Sequence, residues 1–158
     1  MYYLGSPFEP INATTAEAAL KRTMYFKEKE ERVTFAGKII ETFTNGKMDL
    51  VIYVKAQSTD AALAAYHREH YGAHVSFHVE EYVSARTVHT TIFVDFRING
   101  IGIYHYDESW RLKVEQAYDE QHNLLEYREM FYKEEEDTPF EEKFFFAKSW
   151  VIQKEQYK

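Results

Sequence analysis

Two kinds of apolar spacing alternate along the chain. Near the start, Ala16, Ala19, Leu20, Thr23 and Met24 fall on one stripe at helical spacing. Thr14-Thr15-Ala16-Glu17 reads as a capping box in which Thr14 accepts from the first turn and Glu17 reaches back. The pattern predicts a helix that runs out into Lys27-Glu28-Lys29-Glu30-Glu31, a solvated charged end. A second helix is expected through Ala61, Leu63, Ala64 and Tyr66, capped by Ser58-Thr59-Asp60 and ended by Gly72.

Elsewhere the apolar residues alternate with the period of a strand. Two Asn-Gly pairs punctuate them, and Asn-Gly tolerates the positive φ angles of a type I′ hairpin turn. Asn45-Gly46 is expected to join Val33–Phe43 to Met48–Lys55, and Asn99-Gly100 to join Thr87–Ile98 to Ile101–Tyr106. Further strands are expected at Ala73–Ser84, Trp110–Tyr118, Leu124–Tyr132 and Phe144–Gln153. An acidic loop, Glu134-Glu135-Glu136-Asp137-Thr138-Pro139, separates the last two.

Helix, hairpin, helix and then a run of strands predicts an α+β fold, with a curved antiparallel meander sheet packed against one or two helices. A small closed β-barrel is the alternative. With no internal repeat and no linker, residues 1–158 read as a single globular domain. This element order resembles the cystatin-like, nuclear-transport-factor-2-like architecture, whose members include small pocket enzymes and binding proteins. The resemblance implies a hollow between the curved sheet and the first helix.

Hairpin register sorts the candidate chemistry. A two-residue turn at Asn99-Gly100 sets Ile98 opposite Ile101, Phe96 opposite Ile103 and Val94 opposite His105, on one core face with Val88, Thr90 and Ile92. His105 on that face, with Asp107 two residues on, forms a candidate proton-transfer pair. The competing reading puts His105 at the sheet rim and Asp107 in an Asp107-Glu108-Ser109 turn. Trp110, Leu112, Val114, Gln116 and Tyr118 share a face of the next strand, and Leu125, Tyr127, Glu129 and Phe131 a face of the one after. A carboxylate buried among them must be protonated, paired or functional, unless a bulge turns Glu129 outward with Glu126. His105, Asp107 and Glu129 are therefore the catalytic candidates, with Tyr104, Tyr106, Trp110, Tyr118 and Tyr127 as candidate ligand-binding walls. On the opposite face Asp95 should meet Tyr104, in line with His89, Thr91, Phe93 and Arg97, as a solvated or partner-facing surface.

His67, His70, His74 and His78, with Glu69 among them, are ligand types that zinc accepts. Gly72 breaks the element that carries them and the spacing fits no zinc motif, so neither a metal nor another cofactor is expected.

Composition narrows the partners. Aromatic residues reach 17%, with 13 Tyr and 12 Phe, which suits pleated half-buried surfaces and, through tyrosine, binding pockets. A net charge of −7 with scattered Lys and Arg speaks against nucleic acid and anionic membranes as partners. The absence of Cys rules out disulfides, thiolate metal sites and cysteine nucleophiles. Residues Met1–Pro10 carry no secretory pattern and no apolar run nears the ~20 residues of a membrane span, so a cytoplasmic location is expected. No phosphate-binding loop or serine elbow is present. Two functions remain. One is a small-molecule-binding pocket protein, in its enzymatic form a general acid–base isomerase, dehydratase or cyclase. The other is a non-enzymatic interaction or homo-oligomerisation module that uses its sheet face. The first expects a hollow with inward titratable groups, the second a filled core with an exposed aromatic patch.

Overall fold

The computed structural model describes residues 1–4, 13–30, 33, 36–55, 60–134, 136, 138–147 and 152–156. The elements are β1 (Tyr2–Tyr3), β2 (Ala13–Thr14), α1 (Ala16–Leu20), β3 (Met24–Glu28), β4 (Ala36–Thr44), β5 (Lys47–Lys55) and α2 (Asp60–His70). They continue with β6 (Ser76–Ser84), β7 (Thr87–Val94), β8 (Arg97–Tyr106), β9 (Leu112–Tyr118), β10 (Leu124–Phe131), β11 (Glu141–Phe146) and β12 (Ile152–Gln156). The fold is mostly strand, α+β, with an open mixed sheet in the order β12-β11-β10-β9-β8-β7-β6-β5-β4-β3-β1-β2. An open order excludes the closed barrel. The sheet also departs from a pure meander, because β5 and β6 run parallel, with Val51 beside Phe77 and Tyr53 beside Val79. Parallel neighbours need a crossover of about a dozen residues or more, and α2 lies on that crossover.

Contacts divide the chain into two compact units. The first is Met1–Glu81 with Ile92–Arg97, the second Tyr82–Thr91 with Ile98–Lys158.

In the first unit Asn45-Gly46 forms the expected turn, with φ of 51° and 74°. It sets Ile39 beside Tyr53, and Ile40 beside Ile52. Helix α2 lays Leu63 on the face made by Ile39, Val51, Tyr53, Phe77 and Val79, and these residues form the core. Gly72, at φ of 81°, ends the helix one residue after Tyr71 N bonds His67 O. The expected Ser58-Thr59-Asp60 cap lies outside the described residues, apart from Asp60 as first helical residue.

The first helix is much shorter than its apolar stripe predicts. It spans five residues, and Thr15 rather than Thr14 caps it, accepting from Ala18 N at 3.2 Å. Of the expected charged helix end, Lys27 and Glu28 belong instead to a strand, β3, paired with β4 so that Tyr25 meets Phe43 and Lys27 meets Glu41, and Glu31 lies outside the described residues. An isolated short helix is marginal. Strand pairing buries Tyr25 and stacks its ring on Phe43 at 4.9 Å, which a continued helix would forgo.

The second expected hairpin turn moves. Asp95 and Phe96, at φ of 49° and 60°, make the bend, and Asn99-Gly100 lies inside β8. Positive φ at a bulky residue costs roughly 1–2 kcal/mol. Phe96 offsets this by packing on the α2 core, its ring 5.6 Å from that of Phe77. The oppositions expected from Asn99-Gly100, Val94 with His105 among them, therefore do not form. Thr87 lies beside His105 instead, and Tyr106 N bonds Arg86 O at 2.9 Å. Val94 and Ile98 are exposed rather than core, Asp95 sits in the turn rather than facing Tyr104, and Phe93 joins the core.

In the second unit β8 to β12 are antiparallel neighbours. Trp110 belongs to a turn, at φ of 62°, and its strand begins at Leu112. The single strand expected over Phe144–Gln153 is two, β11 and β12, with a turn at Ala147 whose amide bonds Leu125 O. Most positions of β9, β10 and β11 are half-buried, on both faces alike.

Candidate functional site

The first unit holds a pocket of about 250 Å³ against α2, lined by Leu63, Ala64, Arg68, Phe77, Val79, Phe93 and Phe96. Helical spacing places Ala64 and Arg68 one turn apart, and strand alternation brings Phe77 and Val79 to the same face. Phe93 stacks on Phe77 at 4.6 Å with the planes 6° apart, and Phe96 closes the wall from the hairpin turn. Arg68 is the charged residue of this lining. Its side chain is exposed, with the guanidinium carbon 4.4 Å from the centre of the Phe96 ring. Among the described residues no carboxylate pairs with it.

A buried polar group stands behind the wall. Tyr53 OH lies 2.8 Å from His67 Nδ1, and His67 Nε2 lies 2.9 Å from Val75 O. A carbonyl only accepts, so Nε2 carries the proton and Nδ1 accepts from the tyrosine. Burial pushes the His67 pKa down, outweighing the Val75 bond, and keeps the ring neutral. Burial raises that of Tyr53, with Tyr66 and Glu41 adding to it. The His67 ring centre is 4.4 Å from that of Phe77 and 5.8 Å from that of Phe96, so it buttresses the pocket from inside. Tyr71 donates to Glu41 at 3.0 Å and Lys29 to the Tyr66 hydroxyl at 2.8 Å, with Lys29 also over both rings.

The opposite face of β6 carries His78 beside Ile52 and Glu80 beside Val54. Glu80 is 8% exposed, its Oε2 has no hydrogen-bond partner among the described residues, and burial raises its pKa to about 7. Burial lowers the pKa of His78.

The residues expected to carry chemistry lie in the second unit, and none of them lines this pocket. His105 is half-buried, with Nδ1 3.1 Å from Thr87 Oγ1. Val114 stands beside His105 on one side and beside Glu129 on the other, so the two share a face two strands apart, roughly 10 Å. Lys143 follows Glu129 in the same row. Asp107 caps its turn, accepting from Ser109 N, Arg111 N and Arg111 Nε. Burial alone would raise its pKa, but these bonds and the Arg111 charge bring it below the usual value. Tyr118, beside Ile101, and Tyr127, beside Gln116, share the face of His105, whereas Tyr104, beside Glu115, is on the other. Tyr104 leans back over Gly102, where an added Cβ would come within 2.7 Å of its ring. Tyr106 packs on Trp110 at 5.7 Å.

The four histidines do not converge. His67 uses both ring nitrogens, His70 stacks on Tyr66 at 3.9 Å, His74 is exposed and His78 lies in β6. Among the described residues no group of three or more His, Asp or Glu has metal-binding geometry. Arg68, Phe93 and Phe96 were not among the expected site residues. Ala64 and Arg68 at helical spacing were a signal, but Phe93 and Phe96 reach the site only through the displaced turn.

The chain matches no known protein family, no curated protein and no solved structure. No helix among the described residues is long and apolar enough to cross a membrane.

Proposed function

We propose that the protein binds a small, largely apolar molecule in the pocket under α2. The observation that carries this is the concave lining itself: three phenylalanines, Leu63, Ala64 and Val79 around about 250 Å³, with one guanidinium at the side. Ligand pockets are mostly apolar with a few placed polar groups, and drug-sized ones start near ~300 Å³, so this one suits a smaller molecule. Among the described residues the lining carries no His, Asp or Glu, which supports binding rather than acid–base turnover. The likeness in element order to the cystatin-like and nuclear-transport-factor-2-like architecture belongs to the same proposal, with α2 as the helix over the pocket. A cytoplasmic setting fits the Cys-free chain. Thermal-shift screening of small apolar metabolites tests the reading. A ligand at a hundred times its Kd adds ~2.7 kcal/mol, and Ala64→Leu should remove the shift by filling the pocket. A ligand whose shift survives Ala64→Leu does not use this pocket.

A second reading, an interaction module, has its own support in the second unit. Tyr82, Val83, Leu124, Leu125 and Phe145 there are all large apolar residues left exposed. Sedimentation at rising concentration tests it. A constant monomer mass removes the self-associating form of the reading.

A further inference from the structure

We infer that the pocket under α2 is selective for a small aromatic monocarboxylate, its ring among Phe77, Phe93 and Phe96 and its carboxylate on Arg68. This rests on the pocket being a binding site, as proposed above. Arg68 is the first ground. Its guanidinium carbon lies 4.4 Å from the centre of the Phe96 ring. A guanidinium held over a ring by cation–π attraction keeps N–H donors for a carboxylate, so the two interactions do not exclude each other. In a chain with 26 acidic and 19 basic residues, that guanidinium meets no acid among the described residues. One guanidinium offsets one negative charge, which favours a monoanion over a doubly charged phosphate ester.

The second ground is the backbone of Phe96. A bulky residue at φ of 60° is an outlier, and a far better turn sequence, Asn99-Gly100, stands three residues on. An outlier held by its surroundings points to function. Here the strained turn places an aromatic face where it both lines the pocket and holds the arginine. Stacked rings at Phe77 and Phe93 make the remaining wall suited to a flat ligand.

The test compares phenylacetate with phenylacetamide, nearly the same shape without the charge, by calorimetric titration at pH 7.5 into the full chain and two variants. Phenylacetate should bind the unaltered protein roughly tenfold or more tighter than the amide, since hydrogen bonds to charged groups are the strong ones. Arg68→Gln, at an exposed position, should bring phenylacetate down to the level of the amide, so that the preference for the acid over the amide is lost. Ala64→Leu should abolish both, with circular dichroism showing that each variant is folded. Equal binding of acid and amide, both lost in Ala64→Leu, would overturn the charge selectivity and leave the pocket reading intact. Binding of neither ligand, or binding that survives Ala64→Leu, overturns the inference, the latter by placing the ligand elsewhere.

Discussion

The Tyr53 hydroxyl and the His67 imidazole meet at 2.8 Å, and neither side chain exposes any surface. Each satisfies the other where water cannot. Tyr53→Phe leaves His67 Nδ1 buried without a donor, so it should cost ~1–3 kcal/mol although only one oxygen is lost. His67→Ala removes the ring as well and opens a cavity, so its cost should be larger, ~2–5 kcal/mol. Urea unfolding midpoints at constant slope measure both, and a neutral Tyr53→Phe would mean that the bond contributes nothing.

Stability should respond to pH with two opposite signs. The Glu80 pKa is raised to about 7 from 4.5, so its neutral form is the favoured one in the fold. Its contribution is full below pH 4.5 and is lost as pH rises through 7. The loss is on the order of 3 kcal/mol at most. The pKa values of His67 and His78 are lowered by burial, so their contribution is present above the ordinary histidine value of 6.5 and is lost as pH falls below it. Glu80→Gln should gain stability relative to the unaltered protein between pH 5 and pH 8. Parallel stability profiles for the two proteins would show that Glu80 ionises freely.

The two Asn-Gly pairs should behave differently. Gly46 sits at φ of 74° with open space where a Cβ would stand, so Gly46→Ala should cost about 1 kcal/mol from backbone strain alone. Asn99 is exposed within a strand, and Asn99→Ala should stay within about 0.5 kcal/mol. Thermal denaturation of the two variants decides it. Equal losses would put a turn back at Asn99-Gly100.

Arg111 ties two loops of the second unit together. It pairs with Asp107 at 2.8 Å, donates to Lys133 O and Glu136 O, and covers the Tyr132 ring. Arg111→Ala should destabilise by ~1–2 kcal/mol, more than a single surface ion pair would. It should also speed hydrogen exchange at Ser109 N, which Asp107 holds. Unchanged exchange there would show that Asp107 caps the turn without help.

Local chemistry made part of this fold legible and tertiary packing hid the rest. Asn45-Gly46 and Gly72 were readable because a positive φ suits few other residues, and both adopt one. Asn99-Gly100 offered the same local signal and lost to Phe96, whose gain is a ring packed against α2, far away in sequence. Once that turn moved, the cross-strand oppositions built on it moved too, and Phe93 went from an expected solvated surface into the core, while Val88, Thr90 and Ile101 are buried as expected. A helix between two strands is itself the mark of a parallel crossover, so the β5–β6 pairing was within reach of the sequence. His67 was readable as well, one helical turn after Leu63 on the buried stripe. Glu80 was not. Alternation separates it from Phe77 and Val79, but no local pattern says that the second face of β6 is buried too.

Strands β9, β10 and β11, mostly half-buried on either side, have little inside to defend beyond Met130. Replacing Tyr118 by another ring, or exchanging Glu126 and Lys143 for other polar residues, offends neither face much. Among descendants of one ancestral gene, this part of the chain should therefore drift faster than Ile39, Val51 and Tyr53, which have no room to change. The alternation that betrays a strand should fade there first, while the ladder of backbone bonds beneath it endures.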